Sequence, residues 1–163
     1  MNVLWTYFWP IVAAGLLLGA VLGSAALRRR RLMLVAVGIA LSVAAAGLWH
    51  GPFGAADRFA ASIDRTARFV LVDWEMGQVE AKLARGPLSR RLMLSGPADD
   101  FQRGGLVRIM STIPGVTSAT WSDNRGLPLI VEAALASLAG FLVGLLLAYL
   151  FELHRRYNAQ WKW

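Results

Sequence analysis

Three stretches of the chain stay apolar for the length of a membrane. Residues 5–27 and 32–49 carry no charged side chain, and residues 129–151 carry one, Glu132, near their start. A bilayer core about 30 Å thick needs roughly 20 apolar residues at 1.5 Å each. No other window comes close, so the pattern predicts three membrane-spanning helices. The first is read as a retained span rather than a secretory leader. A leader places its positive charge before the apolar run, whereas here Arg28-Arg29-Arg30-Arg31 follows it.

Between the second and third spans the period changes. After the turn Gly51-Pro52-Phe53-Gly54, residues 55–74 place Phe59, Ile63, Val70 and Trp74 on one helical face, with Arg58, Asp64, Arg65 and Arg68 elsewhere. Such an amphipathic helix rests in the headgroup layer or opens a small packed domain. Residues 75–84 continue as a second helical stretch, ended by Arg85-Gly86-Pro87, and residues 90–95 read as a strand. Asp99 or Asp100 is placed to cap a helix over 101–112. Ile113-Pro114-Gly115 breaks it, and the Val, Thr and Trp of 116–121 suit a last strand. The expectation is a compact α+β unit in the order helix, strand, helix, strand.

Val79-Glu80-Ala81-Lys82-Leu83, Leu92-Met93-Leu94-Ser95-Gly96-Pro97-Ala98, Arg103 through Ile109, and Ile113-Pro114-Gly115-Val116-Thr117-Ser118-Ala119 together resemble a BON domain over residues 75–121. The resemblance implies a non-catalytic module of bacterial envelopes that binds phospholipid or protein. The family carries a further strand before its Leu-Ser-Gly strand, and residues 86–90 leave no room for it on this reading. A sheet truncated in that way buries little apolar area and leans on the membrane helices or on a partner.

Charge sets the orientation. Four arginines fill the turn 28–31, and Arg155, Arg156 and Lys162 follow the third span, while segment 51–127 is nearly balanced, with ten basic and eight acidic residues. Short cytoplasmic loops collect Lys and Arg. The N-terminus and segment 51–127 are therefore expected in the periplasm, with the Arg turn and the tail 152–163 in the cytoplasm of a bacterial inner membrane. Four arginines pinned at a membrane turn suit anionic headgroups rather than nucleic acid, despite the net charge of +7. Trp5, Tyr7, Trp9 and Trp49 mark the outer interface, and Tyr149, Tyr157, Trp161 and Trp163 the inner one. Tyr157, Trp161 and Trp163 also form a candidate docking patch.

Small residues supply the packing faces. Gly15, Gly19 and Gly23 recur every four residues on the first span, as do Ala136, Gly140, Gly144 and Ala148 on the third; Ala36, Ala40 and Gly47 form a weaker set on the second. Such stripes let backbones approach closely, which is what associates helices in lipid. They serve either the chain's own helices or another subunit.

Little else carries chemistry. There is no cysteine, and the two histidines are His50 and His154. His50 is a weak candidate cofactor ligand, but Gly51-Pro52 stops its helix at once. Glu132 suits a helix N-terminus, and Glu152 reads as a solvated neighbour of Arg155 and Arg156. Asp99-Asp100 suit capping better than acid–base work, and no phosphate-binding loop or nucleophile motif is present. No cofactor and no enzymatic activity are expected. The reading is a non-enzymatic accessory or scaffolding subunit of a larger inner-membrane complex, photosynthetic or respiratory, whose partners are membrane lipids and other integral membrane subunits. The alternative is an envelope-maintenance protein that binds phospholipid through its BON-like domain.

Overall fold

The computed structural model describes residues 2–29, 31–122 and 126–160. The chain runs α1 (Val3–Arg29), α2 (Met33–His50), α3 (Ala55–Asp73), β1 (Glu80–Arg85), β2 (Leu88–Ser95), α4 (Asp100–Met110), β3 (Ser118–Thr120) and α5 (Leu129–Gln160). By length and composition α1, α2 and the 129–159 stretch of α5 can each cross a membrane, which makes this a multi-pass membrane protein. Two compact units result: Met1–Tyr7 with Gly54–Glu132, and Phe8–Phe53 with Ala133–Trp163.

In the membrane unit α1 and α5 run parallel and touch backbone to backbone. A Cβ added at Gly15 would meet the Ser137 carbonyl, one at Gly19 the Phe141 carbonyl, and one at Gly23 the Leu145 side chain. The contact is reciprocal, because a Cβ at Gly140 would strike the Val12 carbonyl and one at Gly144 the Leu16 carbonyl. α2 joins through Gly38, whose added Cβ would lie 2.8 Å from Cζ of Phe141. Two serines complete the seam. Ser137 Oγ donates to the Ser42 carbonyl at 2.9 Å, and Ser42 Oγ to the Gly38 carbonyl at 2.9 Å. A hydroxyl in lipid needs such a partner, because no water is there to supply one.

Some positions differ from expectation. On α2 the buried small residues are Gly38, Ser42 and Ala46, while Ala36 and Ala40 face outward and Gly47 is half-buried. On α5, Ser137 rather than the half-buried Ala136 meets Gly15. The third helix does not stop at 151 but continues to Gln160. Arg155 and Arg156 pair with Glu152 at helical spacing, and such pairs support the extra turns.

In the sheet unit β2 is central, antiparallel to β1 and parallel to β3. Residues 75–84 are not a helix. Glu80-Ala81-Lys82-Leu83-Ala84 are good helix formers, but Ala81 and Leu83 bury while Glu80 and Lys82 face solvent, and β1 pairs with β2 through the turn at Gly86-Pro87. The order is therefore helix, strand, strand, helix, strand, with a strand at 80–85 where a helix was expected. α3 is a packed helix, with Phe59, Ile63, Ala67 and Leu71 buried, Val70 half-buried and Trp74 exposed. Asp99 caps α4 in a reciprocal box with Gln102. Tyr7 is no interface anchor: it is buried, its ring 5.3 Å from that of Phe59.

Gly19→Ala is expected to destabilise the membrane unit by about 1–3 kcal/mol, the usual cost of overpacking, and Gly19→Ile by more. Gly47→Ala meets nothing within 4 Å, and Leu17→Ile changes an exposed position. Both should leave stability unchanged. Unfolding in mixed detergent micelles measures this, and equal stability of all four variants would show that the glycines are merely tolerated.

Candidate functional site

A concave surface lies in the sheet unit, between α3 and the start of β1. It is a groove of about 860 Å³ whose walls include Asp64, Arg65, Arg68 and Val72 from α3 and Val79 to Lys82 from the strand. Its floor is closed by the turn where Gly96 has φ +126°. A Cβ there would stand 2.7 Å from the Gln78 carbonyl, so glycine lets the two chain segments meet.

Asp64 organises this surface. One carboxylate oxygen accepts the Leu83 backbone N–H at 2.9 Å, and the other takes Arg85 at 2.8 Å. β1 is the edge of its sheet, so the Leu83 N–H would otherwise be an unpaired ladder donor. Across the strand Lys82 pairs with Glu80 at 2.6 Å, and that ammonium holds the Glu80 carboxyl below the usual carboxylate range. Arg65 and Arg68 stand one turn apart on α3 and are exposed, and neither forms an ion pair among the described residues. The charged side chains that line the groove are therefore Asp64 and Glu80 against Arg65, Arg68 and Lys82, and Arg68 adds to Lys82 in lowering Glu80.

A second cluster supports the unit rather than facing solvent. Arg90 donates to the Gly115 carbonyl and to Glu132, each at 3.0 Å. Glu132 is thus an ion-pair partner as well as an anion in the first turn of α5. Gly115 has φ +106° and sits against Ile63, which only glycine permits without strain.

The sequence-expected residues fall elsewhere. Gly15, Gly19, Gly23, Gly140, Gly144 and Ala148 are buried within the membrane unit, so the stripes are occupied by the chain's own helices. Arg28, Arg155 and Arg156 converge on Glu152, at 3.7, 2.9 and 3.3 Å. Glu152 is consequently buried and not a solvated neighbour. Arg29 and Arg31 are exposed; Arg30 lies outside the described residues, as do Trp161 and Trp163, and Tyr157 is exposed on α5. His50 ends α2 half-buried, and the described residues contain no His, Cys, Asp and Glu grouping that could hold a metal. A small apolar cleft of about 190 Å³ lies between Pro10, Ile11 and Ala14 of α1 and Ala45, Leu48 and Trp49 of α2.

Reading the sequence missed the α3–β1 groove because it gave β1 to a helix. The signal was the alternation Val79, Ala81, Leu83 against Glu80, Lys82. No family model, no curated protein and no solved structure matches the chain.

Asp64→Ala should leave the Leu83 amide without its acceptor. A hydrogen bond to a charged group contributes about 1.5–3 kcal/mol, so exchange of the Leu83 amide is expected to quicken about tenfold or more. The amide of Leu92 in the central strand should hold its rate. Unchanged exchange at Leu83 would remove Asp64 from its role as edge cap.

Proposed function

We propose that this protein is a non-enzymatic accessory subunit of a larger bacterial inner-membrane complex, photosynthetic or respiratory, with its sheet unit in the periplasm, its N-terminus outside and its C-terminus in the cytoplasm. One observation carries the reading. The sheet unit, which has no spanning helix among residues 54–128, leaves Phe69, Val72, Trp74 and Phe101 exposed, Phe101 at 91%. Apolar side chains left open on a unit of this size mark a surface that something else covers. The membrane unit adds to it, because its glycine faces are filled from within and α2 keeps an outward face of Ala36, Ala40 and Ala44. The partners are other integral membrane subunits together with lipid, and not nucleic acid.

The BON resemblance gains support from the element order. Helix, strand, Leu-Ser-Gly strand, helix and a Gly-Val turn into a last strand follow one another through α3, β1, β2, α4, Gly115-Val116 and β3. On this reading the module extends back to residue 55, and it supplies binding rather than catalysis.

Purified through a tag in mild detergent, the protein should elute with an integral membrane partner at fixed ratio. The double substitution Phe69→Ser, Trp74→Ser should release that partner while the protein's own helices stay assembled. Elution of the unsubstituted protein alone would sink the reading.

A second reading has its own observation. Arg65 and Arg68 flank Phe69 and Val72 on α3, the mixture of cationic and apolar side chains that suits an anionic lipid surface. The chain has no cysteine, so a fluorophore on Phe69→Cys reports that position alone. Phospholipid binding predicts a blue shift on adding phosphatidylglycerol to nanodiscs, reversed by salt. An emission indifferent to lipid charge would remove it.

A further inference from the structure

The groove beside β1 has an open strand edge as well as charge. In an antiparallel pair, residues alternate between those that exchange both backbone bonds with the partner strand and those whose N–H and C=O point away from it. Leu83 donates its N–H to Asp64 rather than to β2, so it is of the second kind. Ala81, two residues earlier in an unbroken stretch of the register, is of the same kind. Asp64 therefore caps the edge at Leu83 and leaves it open at Ala81, which is where the groove lies.

We propose that this groove seats a short extended acidic segment of a partner protein, which adds as a strand to the free edge of β1 with its carboxylates against Arg65 and Arg68. This rests on the accessory-subunit reading and names the kind of segment that such a partner presents. Strand addition takes affinity from main-chain hydrogen bonds and specificity from side chains at alternate positions. Here Ala81 offers the main-chain donor and acceptor. Alternate residues of an added strand project to one face about 6.8 Å apart, toward the α3 wall, where Arg65 and Arg68 are separated by about 4.5 Å of helix rise and have side chains long enough to spread. Guanidinium groups pair with carboxylates through two parallel bonds. The open N–H and C=O of Ala81 decide against a membrane as occupant, because an extended peptide supplies both the acceptor and the donor that a strand edge pairs with and lipid headgroups do not. Leu71, Val72 and Val79 supply the apolar contacts between its acidic positions.

The test uses the full chain in nanodiscs and a short fluorescent peptide alternating valine with glutamate. The peptide is expected to bind, with its valine–lysine counterpart at least tenfold weaker. Arg65→Glu with Arg68→Glu should weaken binding roughly tenfold or more, about 1.4 kcal/mol per decade; both positions are exposed, so the fold is kept. N-methylation of the peptide backbone should abolish binding to the unsubstituted protein. Equal binding of the lysine peptide, indifference to N-methylation, or binding only to phosphatidylglycerol vesicles and not to peptide each overturns the proposal. If the tagged protein still brings down its membrane partner in any of those cases, the accessory reading stands and the seat alone falls. If no partner elutes with it, that reading falls whatever the peptide does.

Discussion

Phe141 is where three helices meet, and the rest of the membrane unit follows from how closely they approach it. Its carbonyl lies against Gly19 of α1 and its ring against Gly38 of α2. Neither approach tolerates a Cβ. In lipid no hydrophobic effect pulls helices together, so closeness of backbones and a few interhelical hydrogen bonds must do it. Gly15 and Gly144 repeat the arrangement one turn to either side, and Ser137 and Ser42 add the polar link. That α1 and α5 lie parallel is itself a consequence of an odd number of crossings, with α2 returning between them.

This contact has a consequence for partners. A glycine face can meet only one neighbour, and here the neighbour is the same chain. An outside subunit would have to use what is left, the alanine face of α2 or the sheet unit. In that unit the sheet has one short parallel strand, β3, on one side and an edge strand, β1, on the other. Asp64 blunts the edge at one point, as native sheets commonly do with charge. It stays open at Ala81, beside two cations.

The spans were legible because apolar runs of such length have no other reading. The cap of α4 was legible because Asp99 and Gln102 stand at capping-box spacing. β1 was not, because Glu, Ala, Lys and Leu all favour helix and the period of two is only three pairs long; pairing with β2 overrode propensity. Stripes named from the sequence also missed by one or two residues, Ala136 for Ser137 and Ala36 for Gly38. Spacing fixes a helix's faces, but only the neighbour decides which face is used. Glu152 and Tyr7 show the same limit, since each is buried by residues distant in sequence, Arg28 and Phe59.

Satisfaction of polar groups divides the labour between the two units. In the membrane unit Ser24, Ser42, Ser137 and the Glu152 carboxylate find partners inside the chain, as lipid requires. In the sheet unit the balance is reversed. Phe69, Val72, Trp74 and Phe101 are exposed, and the Ala81 backbone points away from its own sheet. Water satisfies the second of these readily and the first poorly. A unit that buries its own small core and still exposes Phe69, Val72, Trp74 and Phe101 gains most from a partner that covers them. On the proposed reading recognition concentrates in the sheet unit, and the three apolar helices are what holds the chain in the membrane.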